Sequence, residues 1–99
     1  MRIHPVERTV ETASGTASFN TVTLIGGVCR MVYIKAATDG TVFSASVTDA
    51  KNREVLNYAA ERTPIIDITN HIPVRGVYTV EISGADADQE FDCLMMIEE

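Results

Sequence analysis

The chain has 99 residues, with 8 Lys and Arg against 14 Asp and Glu, for a formal net charge of −6. That length supports one domain with its own core, and the acidic balance excludes a surface that coats nucleic acid or anionic membrane, which needs a basic footprint. Its 11 Val, 9 Ile and 11 Thr stand against 3 Leu, so side chains that stiffen strands far outnumber the commonest residue of helical cores.

Residues 1–16 carry Arg2, Glu7, Arg8 and Glu11 among small polar residues, with Ile3, Val6 and Val10 as the larger apolar ones. No 3.6-residue stripe runs through them and Pro5 interrupts any early helix, so the segment reads as an extended arm ahead of a domain at 17–99. Its three apolar residues suit docking on another surface; a loose terminus is the alternative. An arm of this kind is dispensable for folding, so a chain lacking 1–16 is expected to keep its fold. No apolar stretch follows the early charges, as a secretory leader would require, and no run approaches the ~20 residues of a membrane-spanning helix. With Met1 at its start, the chain is expected to be a whole translation product made in the cytoplasm of its host.

From Ala17 onward, short strands alternate with turn signals. Ser18–Ile25 is the first, closed by Gly26-Gly27. Cys29–Ala36 follows, with Val32 and Ile34 on one face and Cys29, Met31 and Tyr33 on the other. Asp39-Gly40 is the strongest hairpin signal, since both residues tolerate positive φ. Thr41–Thr48 alternates cleanly, Phe43, Ala45 and Val47 inward. After the turn at Asp49–Asn52 comes Glu54–Ala59, although Asp49 could instead cap a helix over Thr48–Arg62. Ile65, Ile66 and Ile68 read as a short buried strand. Pro73 and Arg75-Gly76 punctuate before Val77–Ser83, where Tyr78, Val80 and Ile82 share a face. An acidic loop, 84–89, leads to Glu90–Ile97 with Phe91, Cys93, Met95 and Ile97 inward. The pattern is all-β: an antiparallel β-sandwich, jelly-roll or immunoglobulin-like, of about seven strands with an extended N-terminal arm.

Little in it points to catalysis. Two cysteines are too few for a disulfide framework or Cys-rich zinc site, and their opposite parity predicts free thiols. Cys93 has no base beside it and a buried thiol is inert. Asp86, Asp88, Glu90 and Asp92 hint at calcium, but counting from Asp86 the sixth and twelfth positions hold Phe91 and Ile97 where an EF-hand needs Gly and Glu. A calcium site shared with another loop stays open; a solvated loop is the plainer reading. His4 and His71 have no metal-ligand spacing, and no nucleophile elbow or phosphate-cradling loop occurs. The expectation is no catalytic residue, no metal and no cofactor. Of the few aromatics, only Tyr33 and Tyr58 could stack on a sugar.

Two predicted strands are apolar on both faces. Met31 and Tyr33 lie opposite the Val32 row, and Leu94 and Met96 lie opposite the Phe91 row. Without helices to cover them, such faces imply burial against a partner or a second copy.

In pattern, Thr21–Ile97 resembles β-sandwich modules of the pre-peptidase C-terminal and carbohydrate-binding type. The residues that carry this are Phe43-Ser44-Ala45-Ser46-Val47-Thr48-Asp49, Arg75-Gly76-Val77-Tyr78-Thr79-Val80-Glu81-Ile82 and the closing Phe91 strand. As a whole, a small acidic sandwich with a polar N-terminal arm and no leader looks like a tailed-bacteriophage virion protein, above all a capsid decoration (cement) protein. That resemblance implies a non-enzymatic structural subunit that resides in the virion. It would bind the major capsid protein or other virion subunits, associate with itself, and avoid nucleic acid and membrane. Ile3, Val6, Val10, Met31, Tyr33, Leu94 and Met96 would make the contacts. The alternative is a carbohydrate-binding or host-adhesion module.

Overall fold

A computed structural model describes residues 2–85 and 87–99. Its strands are β1 (Ile3–Glu11), β2 (Ala17–Asn20), β3 (Leu24–Ala36), β4 (Val42–Thr48), β5 (Glu54–Arg62), β6 (Ile65–Asp67), β7 (Ile72–Gly76), β8 (Thr79–Ser83) and β9 (Glu90–Glu98). No helix occurs among the described residues. Two antiparallel sheets pack face to face. The first is ordered β1-β9-β3-β6, with β7 continuing the β6 edge beside the other half of β3; the second is ordered β2-β8-β4-β5.

The pairing follows one rule. β1 lies beside β9, β2 beside β8, β3 beside β6 and β7, and β4 beside β5. Strands thus pair from the two chain ends inward to a single hairpin at Asp49–Arg53, and nearly every step along the chain changes sheet. A long hairpin wrapped in this way is a jelly roll, with its sixth strand broken into β6 and β7.

Alternation builds the core. Phe43, Ala45 and Val47 of β4 and Val80 and Ile82 of β8 point in from the second sheet, toward Phe91, Cys93, Met95 and Ile97 of β9. The rings of Phe43 and Phe91 meet edge to face, centroids 4.9 Å apart at 69°, the arrangement aromatic quadrupoles favour.

Several expectations are revised. Asp39-Gly40 makes no hairpin: β3 and β4 belong to different sheets, and this turn carries the chain between them. Gly26-Gly27 lies inside the 13-residue β3 rather than ending a strand. β7 forms where Pro73 and Arg75-Gly76 read as punctuation. Over Thr48–Arg62 the chain is a turn and β5, not a helix: Asp49 accepts the N–H of Lys51 and of Arg53, both at 2.9 Å, and the Arg53 Nε at 2.7 Å. Ile65 alone of its cluster is buried; Ile66 is 56% exposed and Ile68 61%. The surface on which the N-terminal segment docks is its own sheet, with Ile3–Glu11 laid along β9 in continuous register.

The cysteines are free, but not through opposite parity. Between Cys29 and Met31 the β3–β9 register advances two residues against one, so Arg30 is a bulge. The bulge turns Cys29 into the core while Met31 stays outside.

Candidate functional site

Residues directly opposite in antiparallel strands share a face, so the registers lay out the outer surface of the first sheet row by row. One row runs Ile66, Tyr33, Leu94, Glu7 across β6, β3, β9 and β1. The next runs Met31, Met96, Pro5, and beyond it Ile3 faces Glu98. On the other side come Lys35, Asp92, Thr9, then Glu90 opposite Glu11. The centre of the face is therefore apolar and one end of it acidic.

The second sheet provides the contrast. Its outer rows read Ser18, Glu81, Ser46, Asn57 and Asn20, Thr79, Thr48, Glu54. Nearly every side chain on that face is at home in water; Val42, opposite Arg62, and the exposed Val55 of β5 are the apolar exceptions. Of the two outer faces, the first sheet's is the one that leaves a group of apolar side chains partly exposed at its centre.

Of the residues expected to make contacts, Met31, Tyr33, Leu94 and Met96 come together on this face, each partly exposed. Ile3 lies at its edge. Val6 does not reach it: at 3% exposure it belongs to the core, and Val10 packs against that core from the same inward side of β1. Ile66, Pro5 and Glu7 complete the face and were not among the contact residues expected from sequence. The adjacent Ile65 and Ile66 carried the signal, since neighbours in a strand point to opposite faces.

Tyr58 is committed elsewhere. Its hydroxyl donates to Asp67 Oδ2 at 2.7 Å, tying β5 of the second sheet to β6 of the first. The Asn70 side chain donates to the same oxygen at 2.9 Å, and Oδ1 accepts the N–H of Thr69 at 3.1 Å and of Asn70 at 3.0 Å. Burial pushes the Asp67 carboxyl up, but these donors outweigh it and hold it well below the usual carboxylate range. Burial and the neighbouring carboxylate push the Tyr58 phenol up. Asp67 followed by Thr69 and Asn70 is an Asx-turn pattern, legible in the sequence.

The acidic residues separate. Asp88 accepts the N–H of Gly15 at 2.9 Å and of Ser14 at 3.3 Å, closing the turn after β1. Asp92 Oδ1 accepts from the Thr9 hydroxyl at 3.1 Å; Asp86 lies outside the described residues. Among the described residues no three His, Cys, Asp or Glu side chains gather as metal ligands. Burial, with a smaller contribution from Asp92, pushes the Cys93 thiol up to about 12, and burial raises Cys29 as well.

Where the apolar rows meet the acidic ones, a hollow of ≈ 320 Å³ opens, lined by Glu7, Arg8, Thr9, Tyr33, Asp92 and Leu94. Arg8 turns its guanidinium to the carbonyl of Glu7 at 2.7 Å.

Two solved structures of infectious bursal disease virus contain a chain of similar fold. For the Gt strain the TM-score is 0.44 and for the Gx strain 0.40, each at 11% sequence identity. The matches cover 97% and 98% of this chain but 32% of each viral chain, so this chain spans about a third of their length. No family model matches the sequence, and no curated protein does either.

Proposed function

We propose that this chain is a non-enzymatic structural subunit of a virus particle, a capsid decoration or cement protein of a tailed bacteriophage. The observation that carries the reading is the apolar outer face of the first sheet, set against the wet outer face of the second. A flat strip of Met31, Tyr33, Leu94, Met96 and Ile66 suits a protein surface. Jelly rolls serve as capsid domains and as lectins, and the site, not the fold, decides between such uses. Both thiols are buried and the Tyr58–Asp67 pair is a structural clasp, which supports binding over catalysis. The partner in this reading is the major capsid protein or another virion subunit.

Mass spectrometry of purified particles from a host expressing the gene provides the test. The chain should be present in many copies per particle, and its absence from intact particles would sink the proposal. One observation favours the carbohydrate alternative: Tyr33 borders a hollow that also holds carboxylates and a hydroxyl. A glycan array that responds to the wild type and not to Tyr33→Ala would support that reading instead.

A further inference from the structure

We propose that the occupant of the first sheet's outer face is a separate protein whose apolar contact strip carries an Arg or Lys at its margin. This basic side chain enters the hollow between Glu7 and Asp92. The inference rests on the reading of this face as a contact surface and names the chemistry of what covers it.

Charge complementarity carries the choice. The apolar rows end at Glu7 and Asp92, and beyond them Glu11 stands directly opposite Glu90. Like charges in that relation are destabilising, so the cluster lowers the stability of the free chain and suits a cation from outside. Among the described residues none of Glu7, Glu11, Glu90 and Asp92 makes an ion pair. Lys35, opposite Asp92, makes none either, and Arg8 is turned to its neighbour's carbonyl. The hollow fits a basic side chain in two parts. Leu94 and the Tyr33 ring line it beside the carboxylates, and would cover an aliphatic stem and the face of a guanidinium. Glu7 and the second oxygen of Asp92, which Thr9 leaves unused, would accept the charged head.

A second copy of the chain suits the face less well. Each copy carries −6, so a second copy would bring a second set of unpaired carboxylates to the same face.

The test titrates the full chain with N-acetyl-arginine methylamide at low ionic strength, followed by amide chemical shifts. Saturable shifts should be confined to Glu7, Thr9, Tyr33, Asp92, Leu94 and their neighbours. They should weaken about fivefold in Glu7→Gln/Asp92→Asn, persist in Glu61→Gln, and vanish with N-acetyl-norleucine methylamide. Shifts spread over every surface carboxylate overturn the inference. So does a response to neutral methyl glycosides in place of the arginine probe, which would assign the hollow to a sugar. A dimer in light scattering that Leu94→Glu dissolves overturns it too, in favour of a second copy. A chain that enters particles but ignores the probe loses this inference and keeps its structural role; a chain that binds the probe but is missing from particles does the reverse.

Discussion

Gly27 occupies the point where β3 approaches the end of β9 most closely. Its φ is +148°, and a Cβ placed there would lie 2.6 Å from the Glu98 carbonyl oxygen and 3.2 Å from Ile97 Cγ2. That carbonyl belongs to the β3–β9 ladder and has little room to yield. Gly27→Ala should therefore lose stability on the order of 1–3 kcal/mol, or roughly 4–8 °C in Tm per kcal/mol. Gly40→Ala, with a φ of +81° but nothing within 4 Å, keeps only the backbone strain and should lose less. Thermal melts that reverse this order would refute the close approach. The Asp67 clasp makes a second prediction, in pH. Its carboxyl is depressed in the folded state, so its contribution is complete above the unfolded value of about 3.9 and drains away as pH falls toward the folded value. Melting temperature should drop below about pH 4 more steeply in the wild type than in Asp67→Asn, which starts lower at neutral pH. Parallel profiles would show that the clasp contributes no pH dependence. The cysteines give a third: with Cys93 pushed up to about 12 and both side chains buried, Ellman's reagent at pH 8 should label neither until denaturant is added. Fast labelling of the native chain contradicts this packing.

At the scale of elements, β1 decides how the N-terminal segment works. Val6 reaches the core from it, and Thr12 at its end is buried, exchanging hydrogen bonds with Gln89. Val6→Ala should lower stability by about 1–3 kcal/mol, while Ile3→Ala on the outer edge stays within about 0.5 kcal/mol. A chain lacking residues 1–16 should lose its cooperative melt, against the expectation drawn from sequence alone; a sharp transition at the wild-type temperature would show that β1 is dispensable. The reason β1 escaped notice is physical. Arg2 and Thr12 bond to Glu99 and Gln89, the residues flanking β9, so in continuous register the even-numbered residues of β1 face its ladder and the odd-numbered ones face the open edge. Pro5 thus sits where a missing N–H breaks no bond, and Pro73 likewise lies in an edge strand, β7. Proline reads as a breaker in sequence and is tolerated at an edge. By contrast β4, β8 and β9 were legible because each buries one face against the other sheet and alternation records that directly. The Arg30 bulge was not legible, since a slip in register leaves no trace in residue type, and it alone reversed the side assigned to Cys29. Nor was the pairing of β1 with β9, which joins residues at opposite ends of the chain.

For the whole molecule, the two outer faces pose the functional question. Both sheets bury their inner rows against one another, so anything apolar on the outside is surplus to the core. The second sheet has almost no such surplus, while the first gathers Met31, Tyr33, Leu94, Met96 and Ile66 from three strands. That half of the site was legible in strand parity, and the adjacent Ile65 and Ile66 hinted at its outer edge; its extension to Pro5 and Glu7 required the registers. In the proposed role a contact of this size would be weak singly, but subunits held together in a shell would present many at once, and joint engagement multiplies affinity without any new contact. The face, rather than the fold, should then control occupancy. Leu94→Glu/Met96→Glu replaces two partly exposed residues at its centre, and should fold with a near-native melt yet fall to background on purified particles. Ser46→Glu, central on the opposite face, serves as the control and should load like the wild type. Occupancy read by gel densitometry, beside melting curves of the free proteins, separates binding from folding. If both variants load equally, the first sheet's outer face is not the contact surface.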